Sequence, residues 1–172
     1  MDSKRFKQID LLLLDVDGVL TDGRIIYTDG GEEIKAFHVK DGMGLRLLMQ
    51  AGIKTGIVTG RRSEALLHRC RNLGIHYIFD GIKDKGTFID TITEQTGVAA
   101  PNMAFVGDDL PDIPLLKKVG MAFAVNDAHE QVIALCDMVT TQKGGHGAVR
   151  EICEIILKKK GVWEQTVNAF IG

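Results

Sequence analysis

The sequence predicts an α/β fold: a doubly wound, mostly parallel sheet with a β-hairpin insert. Three observations carry the prediction. Short apolar runs alternate with amphipathic segments along most of the chain, the pattern of strands joined by crossover helices. The first strand-like run is rich in leucine rather than alternating, as in a strand buried on both faces. Polar clusters follow three of these runs directly, at the strand ends where α/β sheets bind their ligands.

Taken in order, residues 9–14 (IDLLLL) read as the first strand and end at Asp15. Residues 24–28 and 33–39 flank a turn at Asp29-Gly30-Gly31 and read as a hairpin. Residues 42–51 carry Met43, Leu45, Leu47, Leu48 and Ala51 at helical spacing, with Asp41 as the expected cap and Gly52 as the stop. A strand at 53–58 leads to Thr59-Gly60, and a helix starting at Ser63 places Leu66, Leu67, Cys70 and Leu73 on one face before Gly74. A short strand at 76–79 and a helix from about 85 to 96 follow, then a strand at 103–106 ending in Gly107-Asp108-Asp109. Helix 111–119, strand 121–125, helix 128–135, a strand near 137–140 and helix 147–159 complete the pattern. The tail, 159–172, spaces Trp163, Val167 and Phe170 as a helix that docks on the body or on a neighbour, or covers a site.

At 172 residues the chain is one domain's length. Its 45% hydrophobic and 26% charged residues exclude a disordered chain. Lys and Arg total 21 against 23 Asp and Glu, a net charge of −2, which argues against a nucleic-acid partner. The N-terminus lacks the apolar core of a signal peptide, and no run spans a bilayer. Cys70, Cys136 and Cys153 are scattered, without a CxxC pair, which suggests a reducing, cytoplasmic setting and no zinc site.

Asp15 and Asp17 flank one residue just past a strand. Two carboxylates this close repel unless a cation lies near. Asp108 offers a third hard oxygen, and Mg²⁺ favours a few carboxylates with waters and a substrate phosphate. Alone, such a pair also fits turn capping. An EF-hand fails because Gly18 comes too early and a strand, not a helix, precedes it. Thr59 and Gly60 offer a hydroxyl and amides to phosphate oxygens, though Thr-Gly by itself is a common turn. Lys85, at an expected helix start, opposes the macrodipole and calls for an anionic partner or solvent.

Together, Asp15-Val16-Asp17-Gly18-Val19-Leu20-Thr21, Val58-Thr59-Gly60-Arg61, Lys85 and Gly107-Asp108-Asp109 resemble the four motifs of the haloacid dehalogenase superfamily of phosphatases. The stretches GEEIKAFHVKDGMG and GGHGAVREIC narrow the likeness to its sugar-acid phosphatases. The resemblance implies an aspartyl-phosphate mechanism. Asp15 would be the nucleophile and Asp17 the general acid and base. Mg²⁺ would rest on Asp15, Asp108 and the Asp17 main-chain carbonyl. Thr59 and Lys85 would grip the phosphoryl group, with Gly60 beside them, and Asp109 and Asp112 would orient the metal site or Lys85. Arg61 and Arg69 would meet the carboxylate of a phosphorylated sugar acid, although Arg69 also fits a solvated face or a subunit contact.

The implied substrate is 3-deoxy-D-manno-octulosonate 8-phosphate, used in lipopolysaccharide synthesis, with a nine-carbon sialic-acid-type 9-phosphate as the alternative. The resemblance also implies hairpins from several subunits pairing in a homotetramer, in place of a separate cap domain. His146 stands where an arginine is expected. A phospho-receiver domain uses similar groups in a different order, with its acidic pair first and a lone acceptor aspartate later. An inactive, assembly-only relative is opposed by the presence of every catalytic side chain.

Overall fold

The computed structural model describes residues 3–171. The first strand, β1 (Leu11–Leu14), is wholly buried and lies near the middle of a six-stranded sheet. A hairpin of β2 (Ile26–Tyr27) and β3 (Glu33–Ile34) follows. Next come α2 (Val39–Gln50), β4 (Lys54–Val58), α3 (Glu64–Leu73), β5 (Tyr77–Phe79) and α4 (Ile89–Thr96). The second half holds β6 (Met103–Gly107), α5 (Ile113–Leu116), β7 (Met121–Ala124), α6 (Glu130–Leu135), β8 (Met138–Val139), α7 (Ala148–Lys160) and α8 (Trp163–Ile171). A short helix, α1 (Ser3–Lys7), precedes β1 and was not legible in the sequence.

The sheet order is β5-β4-β1-β6-β7-β8 and every pairing in it is parallel. The chain runs outward from β1 to β4 and β5, then crosses back to β6 on the other side. This reversal opens a crevice at the carboxyl ends of β1 and β6. Leu12 and Leu14 of β1 join a core with Phe6, Leu45, Leu48, Leu66, Ile152 and Ile156, so α1, α2, α3 and α7 cover that face. Leu11 and Leu13 join Ile89, Ile92, Leu115, Leu116 and Val132 on the other face, under α4, α5 and α6. A period of two thus splits four consecutive leucines between two cores. Cys70 and Cys153 are free thiols in the first core.

Several boundaries differ from the sequence expectation. The hairpin ladder holds only two pairs, Ile26 with Ile34 and Tyr27 with Glu33. Asp41 does not cap its own helix. It lies inside α2, 1% exposed, and its Oδ1 accepts from the Arg150 N–H at 2.8 Å. It therefore satisfies a free amide in the first turn of α7. Gly44 allows the two helices this close, since a Cβ there would lie 3.1 Å from the Arg150 Cα. The helix expected from residue 85 begins at Ile89, after a turn in which Asp84 accepts from the Gly86 and Thr87 N–H groups at 3.0 and 3.2 Å. The helix expected at 111–119 is a 3₁₀ turn, Leu110–Asp112, followed by one α-helical turn. The tail docks on its own chain: Trp163 packs against the first core, with the Lys158 ammonium 4.9 Å from its ring. The Phe170 side chain lies outside the described residues.

Candidate active site

A cavity of about 540 Å³ opens at the carboxyl edge of the sheet, where β1, β4 and β6 end. Its lining includes Asp15, Asp17, Thr59, Gly60, Arg61, Lys85, Asp108, Asp109 and Asp112. These nine were expected at a site, and one topological feature brings them together. Asp15 and Asp108 follow β1 and β6 on either side of the crossover point. Thr59 follows β4, held by its N–H to the Phe79 carbonyl at 2.9 Å.

Lys85 is buried, 4% exposed, with no helix of its own to oppose. Its Nζ donates to Asp15 Oδ1 and to Asp112 Oδ1, each at 2.6 Å. Burial works against an ammonium, but these two carboxylates outweigh it and hold Lys85 above its usual range. Asp112 is fully used. Its other oxygen accepts from the N–H groups of Asp108 and Asp109, at 2.9 and 3.3 Å. It therefore fixes both the lysine and the β6 loop. Asp109 caps the same turn, accepting from the Leu110 N–H at 2.8 Å. It steadies the loop without touching Lys85.

Asp15, Asp108 and Asp112 bring carboxylate oxygens within 4.8 Å of one another. Burial pushes the Asp108 carboxyl up to about 8, helped by Asp15, Asp112 and Asp109. Burial also raises Asp15, with Lys85 opposing it. The nearest side-chain groups to the Asp108 carboxylate are like-charged, and the Lys85 charge opposes them only in part. Carboxylates crowded in this way stay ionised only with a cation between them. With Asp112 committed elsewhere, Asp15 and Asp108 are the side chains left to hold it, and an all-oxygen set suits Mg²⁺. Gly18 makes room for this arrangement. Its φ is +92°, and a Cβ there would fall 2.1 Å from Asp108 Oδ2.

Asp17 points away from the other acids, toward Lys35 and Arg61. Its side chain is thus free of the carboxylate cluster. Arg61 donates to Glu33 and lies 3.4 Å from the Tyr27 hydroxyl, so the hairpin meets the site through it. Sequence reasoning missed Glu33 and Lys35. The signal present was two charges beside apolar hairpin residues, but nothing local says which way they face.

One expected residue, Arg69, lies elsewhere. Arg69 does not reach the cavity. Its guanidinium lies 6.0 Å from the Phe37 ring and against Gly42, in a separate pocket with Arg46 and Asn72. Within one chain α3 places Arg69 beside the first turn of α2, outside the lining of the strand-end cavity. His146 lines another depression with His38 and Arg150, and its Nδ1 donates to the Gly144 carbonyl at 2.7 Å.

The fold and the site define a doubly wound α/β protein with a cluster of carboxylates at its sheet crossover that could hold a cation. Residues 77–152 match the family described as haloacid dehalogenase-like hydrolase. The chain is 44% identical over 155 residues to the 3-deoxy-D-manno-octulosonate 8-phosphate phosphatase KdsC of Escherichia coli K12, covering 90% of this chain and 82% of that protein. The Moraxella catarrhalis phosphatase of the same name, solved with magnesium, phosphate and KDO, superposes with a TM-score of 0.94 at 42% identity, over 98% of this chain and 97% of that one. The cobalt-bound phosphatase of Haemophilus influenzae gives 0.93 at 39% identity, over 98% and 99%. This chain belongs to the haloacid dehalogenase-like hydrolases, in the family of the 3-deoxy-D-manno-octulosonate 8-phosphate phosphatases.

Proposed function

We propose that the protein hydrolyses 3-deoxy-D-manno-octulosonate 8-phosphate to the free sugar acid and inorganic phosphate. The observation that carries this is the buried Lys85 donating to both Asp15 and Asp112 at the sheet crossover, within a chain 44% identical to KdsC. Asp15 attacks phosphorus through its carboxylate. The bond from phosphorus to the sugar oxygen breaks, and Asp17 gives that oxygen its proton. Asp17 then takes a proton from the water that hydrolyses the aspartyl-phosphate. Lys85, Thr59 and the Gly60 amide hold the transferring oxygens. Asp112 and Asp109 act by fixing Lys85 and the Asp108 loop. Bound Mg²⁺, on Asp15, Asp108 and the Asp17 carbonyl, supplies positive charge against the phosphate and keeps both carboxylates ionised.

Arg61 is the candidate for the substrate carboxylate, since it lines the cavity beside Thr59. Arg69 serves a substrate only if a neighbouring subunit brings one to it. The exposed hairpin residues Ile25, Ile26, Tyr27 and Ile34 support assembly as a homotetramer in which hairpins pair and close the sites, without a separate cap domain. The whole chain then serves as a single catalytic domain. No described helix is long and apolar enough to cross a membrane, and three free thiols suit a cytoplasmic enzyme of lipopolysaccharide synthesis.

The test is phosphate release from the eight-carbon ester beside the nine-carbon 9-phosphate, with and without Mg²⁺. Mg²⁺-dependent preference for the eight-carbon ester, lost in Asp15→Asn, is the expected result. Preference for the nine-carbon ester would keep the chemistry and replace the substrate.

A further inference from the structure

At the end of β3, Ile34 is 49% exposed while the side chain of Lys35, the next residue, is only 3% exposed. An ammonium hidden while its apolar neighbour faces water reverses the ordinary partition. Such burial is tolerated only when charged partners repay the lost hydration. Lys35 Nζ donates to Asp17 Oδ1 and lies 3.0 Å from Glu33 Oε1. Glu33 accepts from Arg61 through its other oxygen, and Arg61 Nε lies 3.8 Å from Asp17 Oδ2. The four side chains close a ring of alternating charge. Two members come from the hairpin, one from the loop after β1 and one from the loop after β4.

The two oxygens of Asp17 are not equivalent in this ring. Oδ1 is hydrogen-bonded to a buried cation, whereas Oδ2 meets Arg61 only beyond hydrogen-bond range. We propose that Lys35 is a positioning residue for Asp17, pinning Oδ1 so that Oδ2 faces the oxygen that leaves phosphorus. The proposal rests on the reading of Asp17 as the proton donor to the leaving sugar. Glu33 anchors Lys35 and, through Arg61, ties the hairpin to the catalytic loop. A carboxylate on a loop otherwise samples several rotamers, and small misplacements of a proton donor are costly. Lys35 acts through Asp17 rather than on the sugar, because so little of it is exposed.

The experiment compares kcat/KM for the eight-carbon ester with that for p-nitrophenyl phosphate. This ratio reports the steps up to the aspartyl-phosphate, and nitrophenolate leaves without a proton. Lys35→Met is expected to lower kcat/KM on the sugar ester about 10²-fold while leaving the aryl ester within about threefold, since general acid catalysis is worth that much only for a poor leaving group. Lys35→Arg restores most of the loss. The inhibition constant of the free sugar acid stays unchanged in both variants. Glu33→Gln moves the same ratio in the same direction by less, and carries the comparison if Lys35→Met does not fold. Equal losses on the two esters, or a raised inhibition constant for the free sugar acid, would overturn the proposal. If the wild-type protein leaves the eight-carbon ester untouched, the substrate reading fails, and glucose 6-phosphate takes its place as the poor leaving group.

Discussion

The strand-end site and the hairpin sit side by side and are built on opposite terms. At the strand ends, Asp15, Lys85 and Asp112 are buried, and Lys85 donates to both carboxylates. They rest on β1 and β6, which pair in register along four residues. The hairpin has two ladder pairs and leaves Tyr27 60% exposed. A two-stranded hairpin is marginal by itself, and within one chain its attachment to the site runs through Glu33, Lys35 and Arg61. Rigidity here comes from the sheet, while the hairpin takes its position from charge and, in the proposed assembly, from its neighbours.

The largest effect should come from the strand-end site. Asp15→Asn removes the proposed nucleophile, and phosphate release should fall on the order of 10⁶-fold, as when another enzyme loses its nucleophile. Single-turnover assays would show whether any residual rate remains. Asp112→Ala should cost about 3–5 kcal/mol of stability, because it leaves the buried Lys85 with one partner and strands two amides. Urea denaturation measures this, and a loss under about 1 kcal/mol would mean that the site is far less rigid than its bonding suggests.

The third prediction concerns pH. Asp108, raised from 3.8 to about 8, holds its proton more tightly in the folded than in the unfolded chain. Protonation therefore favours the fold most at low pH, and that advantage is lost as pH rises through 8. The melting temperature of magnesium-free protein should fall between pH 5 and pH 8 and recover on adding Mg²⁺. Asp108→Asn should flatten both responses, and an unchanged profile in that variant would assign the titration elsewhere. The smallest stability effect belongs to the hairpin. Tyr27→Ser should alter single-chain stability by only about 0.5 kcal/mol, as exposed positions do, yet shift sedimentation toward smaller species. A stable tetramer in this variant would detach assembly from the hairpin face.

The strands and their order of function were legible because the signals are local. A leucine-rich run ending in Asp15, and another apolar run ending in Gly107-Asp108, announce themselves without any partner. Lys85 was legible through its motif, and the resemblance already offered Asp112 as a group to orient it or the metal site, but the local backbone around Lys85 was not legible. The expected helix start is a turn organised by Asp84, and the partner that matters most, Asp112, is 27 residues away. Asp41 was misplaced for the same reason. Its capping role is played on α7, which a scan of its own helix cannot see.

By itself the sequence marked the candidate residues for the chemistry, through a family resemblance, and the segments that form the sheet, since hydrophobic period and motif spacing are properties of short stretches of chain. The tertiary structure decided which of those residues share a cavity. It admitted Arg61 and left Arg69 against Phe37. It turned Glu33 and Lys35 inward from a hairpin whose apolar residues face out. Those outcomes depend on contacts between segments distant in the chain, where burial of a charge is settled by whichever counter-charge the fold brings within reach.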